Sequence, residues 1–124
     1  ENENYLGYQY LGHCYLEGLG VPQSYSKALE MYQKGADDGD NVCYYHLGLL
    51  YYKGNGVAKN NVKAFEYIKK AADSGNEKAA YFTGSLYEQG IGTSINKSKA
   101  FEYFKKSADL GYEDAKKKLT EFKH

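Results

Sequence analysis

The chain has no tryptophan, no arginine and only two cysteines, and its sixteen lysines are balanced by sixteen acidic residues. Without arginine there is no planar guanidinium to hold phosphate or carboxylate through two parallel hydrogen bonds. A formal net charge of zero argues against a nucleic-acid binder, which needs a basic face to release counterions. Two cysteines, Cys14 and Cys43, cannot form a disulfide framework. No apolar run approaches the roughly 18 residues that a membrane span requires. No signal peptide is visible and the first residue is not Met. The chain therefore reads as a processed or trimmed product, with Glu1-Asn2-Glu3-Asn4 as a frayed terminus or a cut linker. Its compartment stays open: periplasmic or secreted where a signal peptide has been removed, cytoplasmic otherwise.

What is present is a repeat. The same pattern recurs every 36 residues, three times, without a gap. Leu-Gly stands at Leu11-Gly12 and Leu47-Gly48, and the third copy keeps Gly84. Gly-x-Gly falls at Gly18/Gly20, Gly54/Gly56 and Gly90/Gly92, and Lys-Ala at Lys27-Ala28, Lys63-Ala64 and Lys99-Ala100. Ala-Asp-x-Gly closes each unit, ending at Gly39, Gly75 and Gly111. The second and third units agree at 17 of 36 positions and the first and second at 14 of 36, which chance cannot hold in register. A repeat of this length is a stacked solenoid, and solenoids mostly bind other proteins. The chain is also a dipole along its axis. Residues 1–40 hold seven acids and two lysines, and residues 41–124 hold fourteen lysines and nine acids. Both ends read as solvated surface.

Periodicity places two helices in each unit. Val42, Cys43, Tyr45, Leu47, Leu50 and Tyr51 follow helical spacing, and Gly54-Asn55-Gly56 stops that helix. Val57 pins the loop to the core. Ser24, Asn60 and Asn96 stand where an N-cap belongs. Ala64, Phe65, Ile68 and Ala72 line one face of the second helix, and Gly75 ends it. The expected helices are about 5–17, 25–38, 41–53, 61–74, 77–89, 97–110 and 113–122. Gly12, Gly48 and Gly84 sit mid-helix, where glycine costs about 1 kcal/mol relative to alanine. A cost repeated three times implies close passage of the second helix, with Ala28/Ala64/Ala100 and Ala36/Ala72/Ala108 as the opposing small faces. Tyr15, Tyr51 and Tyr87 fill the wedge between helices. Glu113 to His124 is polar, with Lys116, Lys117 and Lys118, and reads as a terminal cap.

These residues resemble the Sel1-like repeat family, relatives of the tetratricopeptide repeats, over roughly residues 5–122. The 36-residue step with Gly-x-Gly in the interhelical loop carries the resemblance. Departures are few. Gly7 and Cys43 replace a small Ala, Thr83 replaces the Leu of Leu-Gly, and Ile91-Gly92-Thr93 lacks the usual Val. The resemblance implies an all-α fold, a right-handed superhelix of three helix-turn-helix units (about 5–40, 41–76 and 77–112) plus a capping helix at 113–124, forming one domain over residues 1–124. It implies first helices lining a concave groove, and adaptor or scaffold roles without catalysis. Cysteine-rich members staple the two helices of each unit, a pairing absent here. Cys14 aligns with Leu50 and Leu86, and Cys43 with Ala79 and Ala115. The two are about seven residues out of step on neighbouring helices, ~10 Å along the axis, beyond a disulfide's reach. Two free, buried thiols are expected.

No motif carries catalysis. The Gly-x-Gly motifs follow helices rather than strands and recur in every unit, so they are structural rather than nucleotide loops. His13, His46 and His124 have no partner at metal spacing. His13 and Cys14 are adjacent, and adjacent helical residues do not face each other. Asp37-Asp38-x-Asp40 lacks the glycine and distal glutamate of a calcium loop and reads as a solvated turn. No metal, cofactor or enzyme activity is expected.

Recognition is expected where the units differ on one helix face. By analogy with tetratricopeptide grooves these residues are Gln9, His13, Leu16 and Glu17, then Tyr45, Leu49, Tyr52 and Lys53, then Tyr81, Ser85, Glu88 and Gln89. Aromatic and apolar at its centre and charged at its edge, this set resembles an interface core and rim, although Tyr45 and Tyr81 equally suit packing between units. The leading reading is a protein-binding adaptor, monomeric on its own, that holds a peptide or folded partner. An immunity or inhibitor protein that neutralises a toxin or enzyme is the alternative. A hydrolase of the kind suggested for cysteine-rich relatives, and a structural spacer within a longer array, are the remaining classes.

Overall fold

The computed structural model describes residues 4–122, with side chains from residue 7 onward. Residues 1–3, Lys123 and His124, which the sequence assigns to a polar start and to the end of the cap, lie outside the described residues. Seven helices follow one another: α1 (Asn4–Glu17), α2 (Tyr25–Asp37), α3 (Asn41–Lys53), α4 (Asn61–Asp73), α5 (Glu77–Gln89), α6 (Lys97–Asp109) and α7 (Glu113–Glu121). Each packs mainly on its sequence neighbours, and α1 also touches α3. Units 1, 2 and 3 are thus the pairs α1–α2, α3–α4 and α5–α6, stacked into an α-solenoid with α7 laid on α6.

The caps explain why the helices begin and end where they do. The backbone N–H groups of Lys27, Lys63 and Lys99 donate to Ser24 Oγ, Asn60 Oδ1 and Asn96 Oδ1 at 3.2, 3.0 and 3.0 Å. Asp40 and Asn76 perform the same service for α3 and α5, accepting from Cys43 N and Ala79 N at 2.9 Å each. Asp40 is therefore a helix cap rather than a freely solvated acid of the turn. The second helices and α7 end one residue earlier than the periodicity suggests, at Asp37, Asp73, Asp109 and Glu121. Gly39, Gly75 and Gly111 then reverse the chain at positive φ.

The mid-helix glycines are contact points. A Cβ on Gly48 would lie 2.5 Å from Ile68 Cγ1 and 3.2 Å from the Ala64 carbonyl oxygen. On Gly84 it would lie 2.8 Å from the Phe104 ring and 3.1 Å from the Ala100 carbonyl oxygen, and on Gly12 2.6 Å from the Tyr32 ring. Of the expected alanines, Ala64 and Ala100 stand opposite their glycines, and Ala28, like them, is fully buried. The larger partner, however, is the residue four places on: Tyr32, Ile68 or Phe104. The first glycine of each Gly-x-Gly gives α3 and α5 their left-handed ends at Gly54 and Gly90.

The core divides into two clusters. One joins α2 to α3 through Ala28, Tyr32, Ala36, Cys43, Leu47 and Leu50. The other runs from α4 through α6 and includes Ile68, Leu86, Tyr87, Tyr103 and Phe104. Tyr44 and Tyr51 touch both. Tyr51 stacks on Tyr67 with ring centroids 5.7 Å apart, and Tyr87 stacks on Tyr103 at 5.8 Å. Cys14 and Cys43 are free and buried. Thr83, in the leucine place of the third unit, is buried with its hydroxyl donating to the Ala79 carbonyl at 2.8 Å.

Two polar rings occupy the first cluster. Tyr32 is 1% exposed and its hydroxyl has no hydrogen-bond partner among the described residues. Burial, with Cys43, Glu17 and Cys14 nearby, pushes its phenol well above the usual tyrosine range. His46 stacks on Tyr32 with centroids 4.9 Å apart. Burial, together with His13, Lys78 and Lys53, holds the His46 imidazolium below 6.5, against a smaller opposing pull from Asp40.

Three outcomes follow from this packing, each measurable by urea denaturation. Gly48→Ala destabilises by about 1–3 kcal/mol, because overpacking against fixed backbone outweighs the propensity gain. Gly7→Ala, where no atom of the described residues lies within 4 Å of the new Cβ, stabilises by up to about 1 kcal/mol; the same sign for both would refute the close-approach argument. Tyr32→Phe holds or raises stability, by up to about 1–3 kcal/mol, since it removes an unpaired buried hydroxyl at a place filled by Ile68 and Phe104 in the other units; a loss of stability would mean that the hydroxyl is bonded.

His46 has a pH signature. Its folded-state pKa is depressed, so its contribution is complete above the unfolded value of about 6.5 and is lost as pH falls through that value towards the folded one. His46→Phe, which copies Phe82 from the third unit, removes that component. The difference between wild-type and variant stability therefore changes between pH 7.5 and 5.5, with the wild type losing more. Parallel pH profiles would contradict the burial of His46.

Candidate functional site

The first helices α1, α3 and α5 carry every residue of the expected recognition set. Their positions follow from the repeat: Gln9, Tyr45 and Tyr81 share one register, His13, Leu49 and Ser85 a second, and Leu16, Tyr52 and Glu88 a third. Conserved contacts fix the rest of each helix, so these three rows are presented together by backbones held at the glycine crossings.

Several members already have partners within the molecule. Gln9 Nε2 donates to Asp40 Oδ2 at 2.8 Å, tying α1 to the cap of α3. Tyr81 lies against Phe104 and Tyr112, with both centroid separations at 5.4 Å. Tyr45 packs on His46 at 5.6 Å, and burial, with Tyr112 nearby, raises its phenol pKa. Tyr45 and Tyr81 thus help to join the units. Glu88 Oε1 pairs with Lys118 Nζ at 3.2 Å, both side chains being mostly buried.

The remaining members are freer. His13 is exposed, and Leu16, Leu49 and Ser85 are half-buried. Tyr52 is half-buried, edge-on to Phe82 at 5.1 Å, with Lys59 Nζ 4.9 Å from its ring centroid. That ammonium also donates to the Tyr52 carbonyl at 2.8 Å. Glu17, Lys53 and Gln89 are exposed at the edge of the set. The centre of the face is therefore Leu49 and Tyr52 on α3, with Leu16 on α1 and Phe82 on α5. Phe82 was not singled out by repeat comparison, because its register carries a ring in every unit, Tyr10, His46 and Phe82. The clue was an apolar ring in a register where the other units carry polar ones.

Two clefts were also not legible in the sequence. One of about 390 Å³ lies beside Tyr45 and His46, and is closed by Val42, Lys78 and Leu110. A larger one of about 630 Å³ runs between the ends of α4 and α6, lined by Asp73, Glu102, Lys105, Lys106 and Asp109. Its size does not make it the better site. Lys105 pairs with Asp109 at 3.2 Å, and Asp73 accepts from Tyr103 Oη at 2.7 Å and from Lys69 Nζ at 3.1 Å. Although burial opposes them, these two bonds lower the Asp73 pKa, as expected of a structural carboxylate held ionised. Leu110, exposed at 42%, lines both clefts. Among the described residues no group of three or more His, Cys, Asp or Glu side chains could hold a metal ion.

Comparison with known proteins now bears on this arrangement. The Sel1 repeat pattern matches residues 5–40, 42–76 and 77–112. No curated protein sequence matches the chain. Among solved structures, a Sel1 repeat protein from Oxalobacter formigenes is similar at 34% identity with a TM-score of 0.93, covering 96% of this chain and 49% of its own. A protective antigen of uropathogenic Escherichia coli with the same repeat fold is similar at 30% identity with a TM-score of 0.87, covering 90% of this chain and 24% of its own. The chain thus spans less than half the length of either. Helicobacter pylori cysteine rich protein B shares the fold at 23% identity with a TM-score of 0.76, covering 92% of this chain and 93% of its own. The three matched units, the glycine crossings and the stacked helix pairs make this chain a member of the Sel1 repeat family.

Proposed function

We propose that the chain is a protein-binding module that recognises a peptide or folded partner with the first-helix face centred on Leu49 and Tyr52. Sel1 repeat solenoids are generally protein-interaction modules, typically without catalysis. The observation that carries the siting is the contrast within one helix. Leu47, Gly48 and Leu50 of α3 are buried and serve the fold. Leu49 and Tyr52, one and two places away, are apolar yet only half-buried. Their counterparts Ser85 and Glu88 show that the fold does not require an apolar group at either place.

Leu49 and Tyr52 supply an anchor, and His13, Glu17 and Lys53 a polar rim, as in interfaces where a few central side chains dominate the energy. A tyrosine contributes large area with few rotors to immobilise. With no arginine in the chain, selectivity for charge falls to lysines and acids acting as point charges rather than as bidentate clamps.

The test replaces both anchors by the residues that the third unit carries at the same places, Leu49→Ser and Tyr52→Glu. Because α5 tolerates these residues, the double variant keeps wild-type circular dichroism. Affinity capture from the native source, read by mass spectrometry, then returns a partner with the wild type that the variant loses. Binding of that purified partner weakens by at least ~30-fold, the size of a hot-spot loss of about 2 kcal/mol. Equal capture by both proteins would move the interface to the second helices or the ends.

A further inference from the structure

Because each unit is a helix hairpin packed on the next, the three interhelical loops fall along one long side of the solenoid. Contacts between them show that side to be continuous. A Cβ on Gly56 would stand 2.8 Å from the Tyr25 carbonyl, at the start of α2. One on Gly92 would collide with the Asn61 carbonyl oxygen, at the start of α4. Each loop is thus laid against the first turn of the preceding unit's second helix. The end of each first helix, its loop and the first turn of the second helix (residues 17–29, 53–65 and 89–101) form one edge.

Charge is divided unevenly between this edge and the opposite one. The loop edge holds six lysines, Lys27, Lys53, Lys59, Lys63, Lys97 and Lys99, against one acid, Glu17. All six lysines are exposed. The opposite edge, at residues 33–45, 69–81 and 105–117, holds eight lysines and eight acids. Helix dipoles add little to the contrast, since each loop joins a negative helix end to a positive one. Ion pairing follows the same division. Lys69, Lys105 and Lys116 on the opposite edge pair with Asp73, Asp109 and Glu113 at 3.1, 3.2 and 3.2 Å. Among the described residues, the ion pairs include none of the six loop-edge lysines.

The same edge carries bare aliphatic side chains. Leu19, Val62 and Ile95 are 51%, 56% and 64% exposed. The fold does not ask for Val62 or Ile95. The place of Val62 is taken by Ser26 and Ser98 in the other units, and that of Ile95 by Gln23 and Lys59. Val62 stands beside Lys63, and Ile95 two residues before Lys97.

We infer that the loop edge is a peripheral docking surface for an anionic lipid bilayer. Charge complementarity selects an anionic occupant. The aliphatic groups select hydrocarbon over nucleic acid, whose bases are held by aromatic stacking or by hydrogen bonds, and Leu, Val and Ile offer neither. A bilayer supplies both chemistries together, anionic headgroups at its surface and acyl chains just beneath, without requiring a shaped pocket. Lysine suits such a surface, because its flexible stem can lie along apolar material while the ammonium stays in water. With no arginine to clamp a phosphate in fixed geometry, the edge reads charge density rather than the shape of one headgroup.

The test is co-sedimentation of the 124-residue protein with vesicles of phosphatidylcholine containing about 30% phosphatidylglycerol. The protein partitions onto them at about 0.05 M salt, partitions at least ~10-fold less by about 0.3 M, and leaves pure phosphatidylcholine unbound. Phosphatidylserine in equal amount serves equally. Lys97→Asn/Lys99→Gln weakens partition by ~30-fold, a factor of about five for each lysine. Val62→Ser/Ile95→Gln, which installs residues that the other units carry, keeps wild-type circular dichroism and weakens partition by at least ~10-fold. Lys78→Gln/Lys106→Gln, on the opposite edge, stays within about 3-fold of wild type. Absence of binding to the anionic vesicles, equal binding to neutral ones, or an equal loss from either pair of lysines would overturn the inference. So would binding of soluble polyglutamate in place of vesicles, because the occupant would then be an acidic polypeptide. Leu49 and Tyr52 are unchanged in every variant, so failure here is distinguishable from failure of the proposed function.

Discussion

Everything in this solenoid depends on how closely two helices of one unit can cross. The crossing is set by a glycine on the first helix and a large side chain on the second: Gly12 with Tyr32, Gly48 with Ile68, Gly84 with Phe104. Glycine in a helix interior is unfavourable by about 1 kcal/mol. It persists because a Cβ there would press on the Ala64 or Ala100 carbonyl and push the second helix away. Close approach lets the alanines bury completely, and complete burial makes each pair rigid enough to present a defined face to the next. The residue opposite the glycine varies in size and shape, and the third unit compensates locally, taking Thr83 where the second has Leu47.

A second constraint accounts for the tyrosines. Small residues bring the helices of a unit together at the crossing, and the space beside that crossing, within a unit and across the α4–α5 seam, takes broad, flat side chains. Tyr51 and Tyr44 stack on Tyr67, while Tyr87 meets Phe65 edge-on and Tyr103 face to face. The outer ends of several rings lie under ammonium groups, Lys63 over Tyr51 at 5.7 Å and Lys70 over Tyr44 at 5.3 Å. Such half-wet rings satisfy their hydroxyls in solvent and their carbons in the core. Much of the tyrosine content is thus consumed by the architecture, and only Tyr52 among the central rings is both variable between units and poorly covered.

The repeat made the fold legible. Register alone placed seven helices, the caps at Ser24, Asn60 and Asn96, and the reason for the mid-helix glycines. Periodicity could not show what happens where an element is used once. Asp40 looked like one acid of a solvated cluster, because its cap role depends on the exact start of α3 and its bond to Gln9 on the stacking of α1 against α3. The second helices end one residue early because the capping N–H groups of Asp38, Ser74 and Leu110 reach back to carbonyls three and four residues before them. The candidate site was legible only as a face. Which of its members remain available is decided by contacts between units, and a pattern internal to one unit cannot carry that information. Nor could it place Leu110, where Asp38 and Ser74 stand in the other units, at the mouth of two clefts.

The contributions of the three units to the proposed recognition face are therefore unequal. At the third unit a partner would meet Glu88 already paired with Lys118, and covering Glu88 would compete with that half-buried ion pair. It would also have to displace Tyr81 from Phe104 and Tyr112, which hold α5 to α6 and the cap. At the first unit Gln9 is engaged by Asp40, but His13 and Leu16 carry no such commitment. At the second, Leu49 carries no such bond, and the contact to give way at Tyr52 is the exposed Lys59 side chain over its ring. Association gains most where desolvation is apolar and no internal partner is sacrificed. The energetics thus favour a contact that runs from α1 across α3, with the third unit and α7 acting as the buttress that keeps the face in shape.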